Sequence, residues 1–119
     1  MKNMATQKHC LCLDLKDNPE LIEEYKAYHA PGSTWPEIKD SIYDSGISSM
    51  EIFLSGNRLF MIMEVEEQFD FEKKSRADAN NPKVQEWEEL MWKFQQRLPW
   101  AKAGEKWVLM EKIFDLSQQ

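Results

Sequence analysis

Two runs of alternating apolar residues, 47–54 and 58–65, flank Ser55-Gly56-Asn57, and no other feature of the 119-residue chain limits its fold so strongly. Alternation with a period of two puts every second side chain on one face of a strand. Glycine beside asparagine supplies the positive φ angles of a tight reversal, so the pair predicts an antiparallel hairpin. A lone hairpin is marginal in water and needs further strands or helices over its apolar face. Residues 9–15 add one strand, with Cys10, Cys12 and Asp14 on one side and Leu11, Leu13 and Leu15 on the other. Residues 106–116 alternate again and predict the last strand.

Helix signals fall between these strands. Asn18-Pro19-Glu20 offers an N-cap, a proline suited to the first turn and an acid for the helix dipole, predicting a helix over 19–29. Ala30-Pro31-Gly32-Ser33 breaks it. Thr34-Trp35-Pro36-Glu37 has the spacing of a capping box ahead of a second helix over 36–45, with Gly46 as its C-terminal cap. Asn81-Pro82 starts another, on which Val84, Trp87, Met91, Phe94 and Leu98 form one continuous face until Pro99 ends it. Residues 69–79 suit either irregular chain or a short helix. The order β-α-α-β-β-(α)-α-β is the split β-α-β plan of an α+β, ferredoxin-like domain with an extra helix in the first crossover. The length fits a single domain, 1–119, with its core at about 8–116. Such a sheet has one face left bare by helices, and Met50, Ile52, Leu54, Met61 and Met63 need cover on one side or the other. A homodimer packing sheet on sheet is the expected solution.

Composition removes several function classes. A formal net charge of −6 argues against a nucleic-acid partner or an anionic membrane face. The longest apolar run is only Leu59 to Met63, and the opening MKNMATQKH lacks the apolar stretch of a secretory signal, so a cytoplasmic protein is expected. Cys10 and Cys12, two apart on one strand, read as reduced thiols. His9 lies beside Cys10, but no second Cys or His pair completes a zinc site, and no metal is expected. Glycine-rich phosphate loops, a nucleophile elbow and His-Glu-x-x-His are all missing, which takes away support for nucleotide binding, serine hydrolysis and zincin chemistry.

What remains is Tyr25 and His29, four apart on one helix face, with the histidine at the helix end. An imidazole there can act as general acid or base, and the phenol can orient a hydroxyl-bearing ligand. A helix-end histidine is more often a partner for the helix dipole. Five tryptophans, Trp35, Trp87, Trp92, Trp100 and Trp107, include one on the core face of the last helix. An indole can serve as a platform for a sugar ring, although at such spacing it is more often plain core. Glu51 and Glu64 share the hairpin with apolar residues and are candidates for a base.

Taken together, Tyr25-x-x-x-His29, Trp35-Pro36-Glu37-Ile38, Gly46-Ile47, the strands Met50 to Leu54 and Leu59 to Glu64, and Trp87 with Met91 resemble the L-rhamnose mutarotase family over about 9–114. The resemblance implies a dimeric, ferredoxin-like α/β barrel that interconverts the α and β anomers of a 6-deoxyhexose, with no metal or organic cofactor. It implies His29 as proton donor, Tyr25 as a sugar contact and Trp87 as stacking platform. Met50 stands where characterised members have a second sugar-contacting tyrosine, and Glu88 where they have the second of two adjacent tryptophans. The expected substrate-binding set is therefore Tyr25, Met50, Trp87 and Glu88, with the carboxylate adding an acceptor that favours another hydroxyl arrangement, L-fucose above all. The base is open, with Glu51 and Glu64 as candidates. Two other readings compete: a haem-binding or haem-degrading dimeric barrel with the histidine on iron, and a sugar-binding domain without catalysis. Residues 69–79 are a candidate lid.

Overall fold

A computed structural model describes residues 6–119, and the first part of the opening segment, 1–5, lies outside the described residues. Strand β1 (Thr6–Leu15) pairs antiparallel with β3 (Arg58–Glu66), and β3 with β2 (Ile47–Ser55). The other edge of β1 takes two short strands, β4 (Gln95–Gln96) and β5 (Val108–Leu109). The order β2-β3-β1-β4 is that of the split β-α-β plan, and the sheet stays open. Helices α1 (Pro19–Tyr28) and α2 (Pro36–Asp44) form the first crossover, and α3 (Phe71–Ala79) and α4 (Pro82–Trp92) the second. Among the described residues no helix is long and apolar enough to cross a membrane.

The hairpin behaves as its sequence requires. Gly56 alone takes a positive φ, +59°, and the turn is tied to the end of β1 by Leu15 N–H to the Asn57 carbonyl (2.7 Å) and Asn57 Nδ2 to the Leu15 carbonyl (2.9 Å). Register aligns Leu11 with Met61 and Leu13 with Leu59, and Met50 with Met63 and Ile52 with Met61, so these side chains share one face. Ile47 and Met50, three apart, reach that face together because a bulge between Ile47 and Ser49 inserts one residue. The helices cover this face, and Leu13, Leu15, Ile47, Leu59, Val65, Met91 and Phe94 are almost wholly removed from water.

Two of the three proline-led helices, α1 and α4, start on side-chain caps, Asn18 accepting from Leu21 N–H (3.0 Å) and Asn81 from Lys83 and Val84 N–H. Gly46 adopts φ +96° after α2. The capping box expected at Thr34 is absent: Trp35 occupies the N-cap without a side-chain bond, and Thr34 Oγ1 donates instead to the Tyr28 carbonyl, joining the end of α1 to the start of α2. Residues 69–79 resolve as α3 with Asp70 as its cap, and it buries none of its residues.

The structure corrects two boundaries. The last long helix ends at Trp92, not at Pro99. Phe94 and Leu98 are buried as expected, but the edge of β1 captures the intervening chain, with Lys16 N–H on the Phe94 carbonyl and Gln95–Gln96 paired to Asp14 and Leu15. The strand expected over 106–116 shrinks to Val108–Leu109, followed by one bond from Met110 N–H to the Cys10 carbonyl. Past that point the alternation has no apolar surface within the chain to meet, and Ile113 is 88% exposed. The opposite face of the sheet carries Cys10, Cys12, Phe53, Phe60 and Ile62, together with a buried Asp14 bonded to Arg58 Nε at 2.7 Å and Nη2 at 3.2 Å. Both cysteines are free thiols.

Candidate active site

Between the helices and the sheet lies a cavity of about 700 Å³, the size of a small-molecule site. Its sheet wall is apolar, from Met50, Ile52, Met61 and Met63. Tyr25 and His29 come from α1, Lys74 and Asp78 from α3, Trp87, Glu88 and Met91 from α4, and Gln95, Lys106 and Trp107 from the chain beyond it.

His29 owes its position to how α1 ends. Its backbone N–H bonds the Lys26 carbonyl three residues back (3.1 Å), a tightened last turn that leaves the Tyr25 carbonyl without its helical partner. The imidazole takes that place: Nδ1 donates to the Tyr25 carbonyl at 2.8 Å. This fixes the tautomer of the neutral ring and leaves Nε2 as its free acceptor. The ring lies 4.2 Å from the Tyr25 ring at 32° and 5.6 Å from the Trp87 indole at 65°. Burial pushes the His29 pKa below the ordinary histidine value, with the carbonyl bond opposing in part. A histidine serving the helix dipole is held charged. Burial here favours the neutral ring instead.

Tyr25 is 4% exposed, and burial drives its phenol up to about 12. Among the described residues its hydroxyl has one partner, the amide nitrogen of Gln95, at a long 3.5 Å. Gln95 is equally buried, and among the described residues its Oε1 has no hydrogen-bond partner. Trp87 is wedged edge-to-face among Trp35 (5.1 Å), Tyr28 (6.1 Å) and His29, so it belongs to the core and to the cavity wall at once. Farther along the wall Glu88 Oε1 meets Lys106 Nζ at 3.2 Å, and the ammonium sits 4.7 Å from the centre of the Trp92 ring. Burial lowers the Lys106 pKa, while the Glu88 carboxylate raises it.

All five residues singled out from sequence, Tyr25, His29, Met50, Trp87 and Glu88, line this one cavity. Glu51 and Glu64 do not. Each alternates with a cavity-facing neighbour, Met50 for one and Met63 for the other, so both point to the opposite face of the sheet and are exposed. Gln95 and Lys106 escaped the sequence reading, because the first lay on a helix that in fact stops earlier and the second at the start of a strand. The one available signal was their isolation as polar residues beside apolar neighbours at Phe94 and Trp107.

A buried imidazole with a free nitrogen, set in an aromatic wall beside polar groups on a ferredoxin-like α+β fold, is the class of site equipped for proton transfer on a small polar molecule. The sequence model of the L-rhamnose mutarotase family matches residues 8–116, and the chain belongs to that family. It is 45% identical over 115 residues to the L-fucose mutarotase of Xanthomonas campestris pv. campestris, covering 97% of this chain and 92% of that protein. A UPF0734 protein of Dictyostelium discoideum is 39% identical over 123 residues, covering 98% and 94%. The crystal structure of an L-rhamnose mutarotase from Formosa agariphila superposes with a TM-score of 0.67 at 25% identity, covering 92% of this chain and 98% of that one.

Proposed function

We propose that the protein is a mutarotase that interconverts the α and β anomers of L-fucose, with His29 moving the proton. Family membership supports the reaction class, and the observation that carries the residue assignment is the Nδ1 bond of His29 to the Tyr25 carbonyl, which leaves Nε2 free in the cavity. Ring opening removes a proton from the anomeric hydroxyl, breaks the bond from C1 to the ring oxygen, and adds a proton to that oxygen. Neutral His29 takes the first proton on Nε2, and the imidazolium so formed returns it to the ring oxygen. Rotation about C1–C2 turns the other face of the aldehyde inward, and the same steps run backwards to close the ring. One group thus serves as base and then acid, which suits a site whose two other candidate bases face away. Acid-base catalysis of this kind contributes about 10²- to 10⁴-fold and needs neither metal nor organic cofactor.

Tyr25 orients the sugar through its hydroxyl, Trp87 offers an apolar edge to the ring, and Met50 and Glu88 shape the far wall. The presence of Glu88 among these groups, with the L-fucose mutarotase likeness, supports L-fucose over L-rhamnose. The molecule works as a homodimer in the cytoplasm. Phe53, Phe60 and Ile62 on the open sheet face and Leu109, Met110, Ile113 and Phe114 on the tail offer a second copy an apolar surface, and two free thiols suit a reducing compartment.

Saturation transfer between the α and β anomeric protons, measured with L-fucose and with L-rhamnose, tests the assignment. Transfer above the buffer rate that disappears in His29→Ala, with the variant's melting temperature retained, is the expected result. Unchanged transfer in that variant removes His29 from the mechanism, and no transfer with either sugar in the wild type removes the mutarotase reading.

A further inference from the structure

Lys106 is the least expected group in the cavity. Its side chain is only 14% exposed, yet it carries an ammonium to a cavity whose sheet wall is built from Met50, Ile52, Met61 and Met63. Its polar partners are both on one residue, Glu88: Oε1 at 3.2 Å and the backbone carbonyl at 3.5 Å. The Trp92 ring, 4.7 Å away, covers it from outside. Withdrawing the Lys106 cation from water is costly even with a partner carboxylate, and the Glu88 side chain that partners it stays 44% exposed, so an apolar residue at 106 would commonly do as well for stability. Holding such a pair against a ligand cavity is therefore better explained by what it offers a ligand.

We propose that Lys106 sets the sugar specificity of the site, acting with Glu88 as a joined donor and acceptor that grips two neighbouring cis hydroxyls. The proposal rests on the mutarotase reading above. An ammonium has three N–H donors, and the one not used on Glu88 can reach a sugar oxygen. The carboxylate accepts from the hydroxyl beside it. Hydroxyls both donate and accept, so a vicinal pair closes a ring of charge-assisted bonds with the two side chains. Among their non-anomeric hydroxyls both 6-deoxyhexoses contain one cis pair, but at C3–C4 in L-fucose and at C2–C3 in L-rhamnose. With C1 held at His29, a fixed donor–acceptor pair on the far wall matches the first and misses the second. Misplaced hydroxyls leave the charged groups unmatched, the kind of mismatch that polar sites reject most strongly.

The test compares the wild type, Lys106→Met, Lys106→Arg and Glu88→Gln by anomer exchange, with kcat and KM for each sugar and a melting curve for each variant. Lys106→Met is expected to raise KM for L-fucose about tenfold or more and to shrink the L-fucose to L-rhamnose ratio of kcat/KM by a similar factor. Lys106→Arg, which keeps charge and donors, recovers part of the ratio, and Glu88→Gln lowers it. Equal losses with both sugars, or an unchanged ratio in Lys106→Met, overturn this inference while leaving the mutarotase reading intact. A wild type that exchanges neither sugar overturns both.

Discussion

Replacing Gln95 by methionine should stabilise the protein and impair it at the same time. The amide is almost fully buried, and among the described residues its Oε1 has no partner and its nitrogen reaches only the Tyr25 hydroxyl at 3.5 Å. A buried polar atom without a partner costs about 1–3 kcal/mol, and a hydrogen bond stretched to that length returns less than the usual ~1 kcal/mol. Methionine has a similar unbranched shape and no strong polar atom, so it fills the space with little strain. The net gain is about 1 kcal/mol. With an unfolding entropy of about 2.1 cal/mol/K per residue, the 119 residues translate that into a rise in Tm of about 4 °C. Thermal unfolding followed by circular dichroism reads this directly. Anomer exchange in the same variant should fall by about tenfold or more, because the Tyr25 hydroxyl loses the group that holds its lone pair and so aims its proton into the cavity. Stability gained where activity is lost marks a residue kept for its site. A Tm that drops by several degrees refutes the reasoning, since it means Oε1 is satisfied in the folded state.

The folded-state pKa of His29 lies below the ordinary value of 6.5, so the unfolded chain binds this proton more readily than the native one. Its contribution to stability is complete above about 6.5 and is lost as pH falls. Denaturant unfolding from pH 7.5 to 5 should therefore decline less steeply in His29→Ala than in wild type; equal slopes remove the buried histidine as the cause. The groups packed against the ring, Tyr25 and Trp87, are uncharged throughout this range. In the same window the acid limb of kcat/KM should fall below the usual histidine range, and a limb above 6.5 contradicts a neutral resting ring. Helix α3, which buries none of its residues yet brings Lys74 and Asp78 to the cavity, should exchange its amide hydrogens faster than α4 and slow when L-fucose is added. Protection equal to that of α4 with or without sugar rules out a moving cover.

Local signals served well wherever a short stretch decides its own geometry. Asn18-Pro19, Asn81-Pro82, Gly46 and the Gly56 turn all act as their chemistry requires, and from Ser49 to the turn the hairpin register follows from alternation, the bulge after Ile47 being the one departure. Misreadings arose where a distant partner decides. Phe94 and Leu98 continue the helical spacing of α4, but the free edge of β1 offers hydrogen bonds that a longer helix cannot match, and the chain turns to take them. That turn carries Gln95 beside Tyr25, seventy positions away, a neighbour no local pattern announces. Glu51 and Glu64 show the opposite case. Their facing was fixed by the same alternation that placed Met50 and Met63, and following the period of two strictly excludes them from the cavity.

The charges around the cavity fit the proposal that one histidine serves as both base and acid. Lys74 pairs with Asp78 at 2.6 Å and Lys106 with Glu88 at 3.2 Å, so the two partly buried cations on these walls are each matched by an anion at contact distance, while Lys39 at the rim is exposed to water. Close pairs of opposite sign leave a field that falls off much faster than that of a single charge. Burial, not a neighbouring charge, then governs the His29 ring, in keeping with desolvation as the larger influence on its pKa. A neutral base at rest, returned to neutrality after each proton it carries, requires this balance. An unmatched ammonium on the wall would press the ring further from protonation and starve the acid step, and an unmatched carboxylate would hold it charged and starve the base step. On the proposed mechanism, the pairing of Glu88 with Lys106 would allow a polar wall that distinguishes hydroxyls without disturbing the proton transfer assigned to His29.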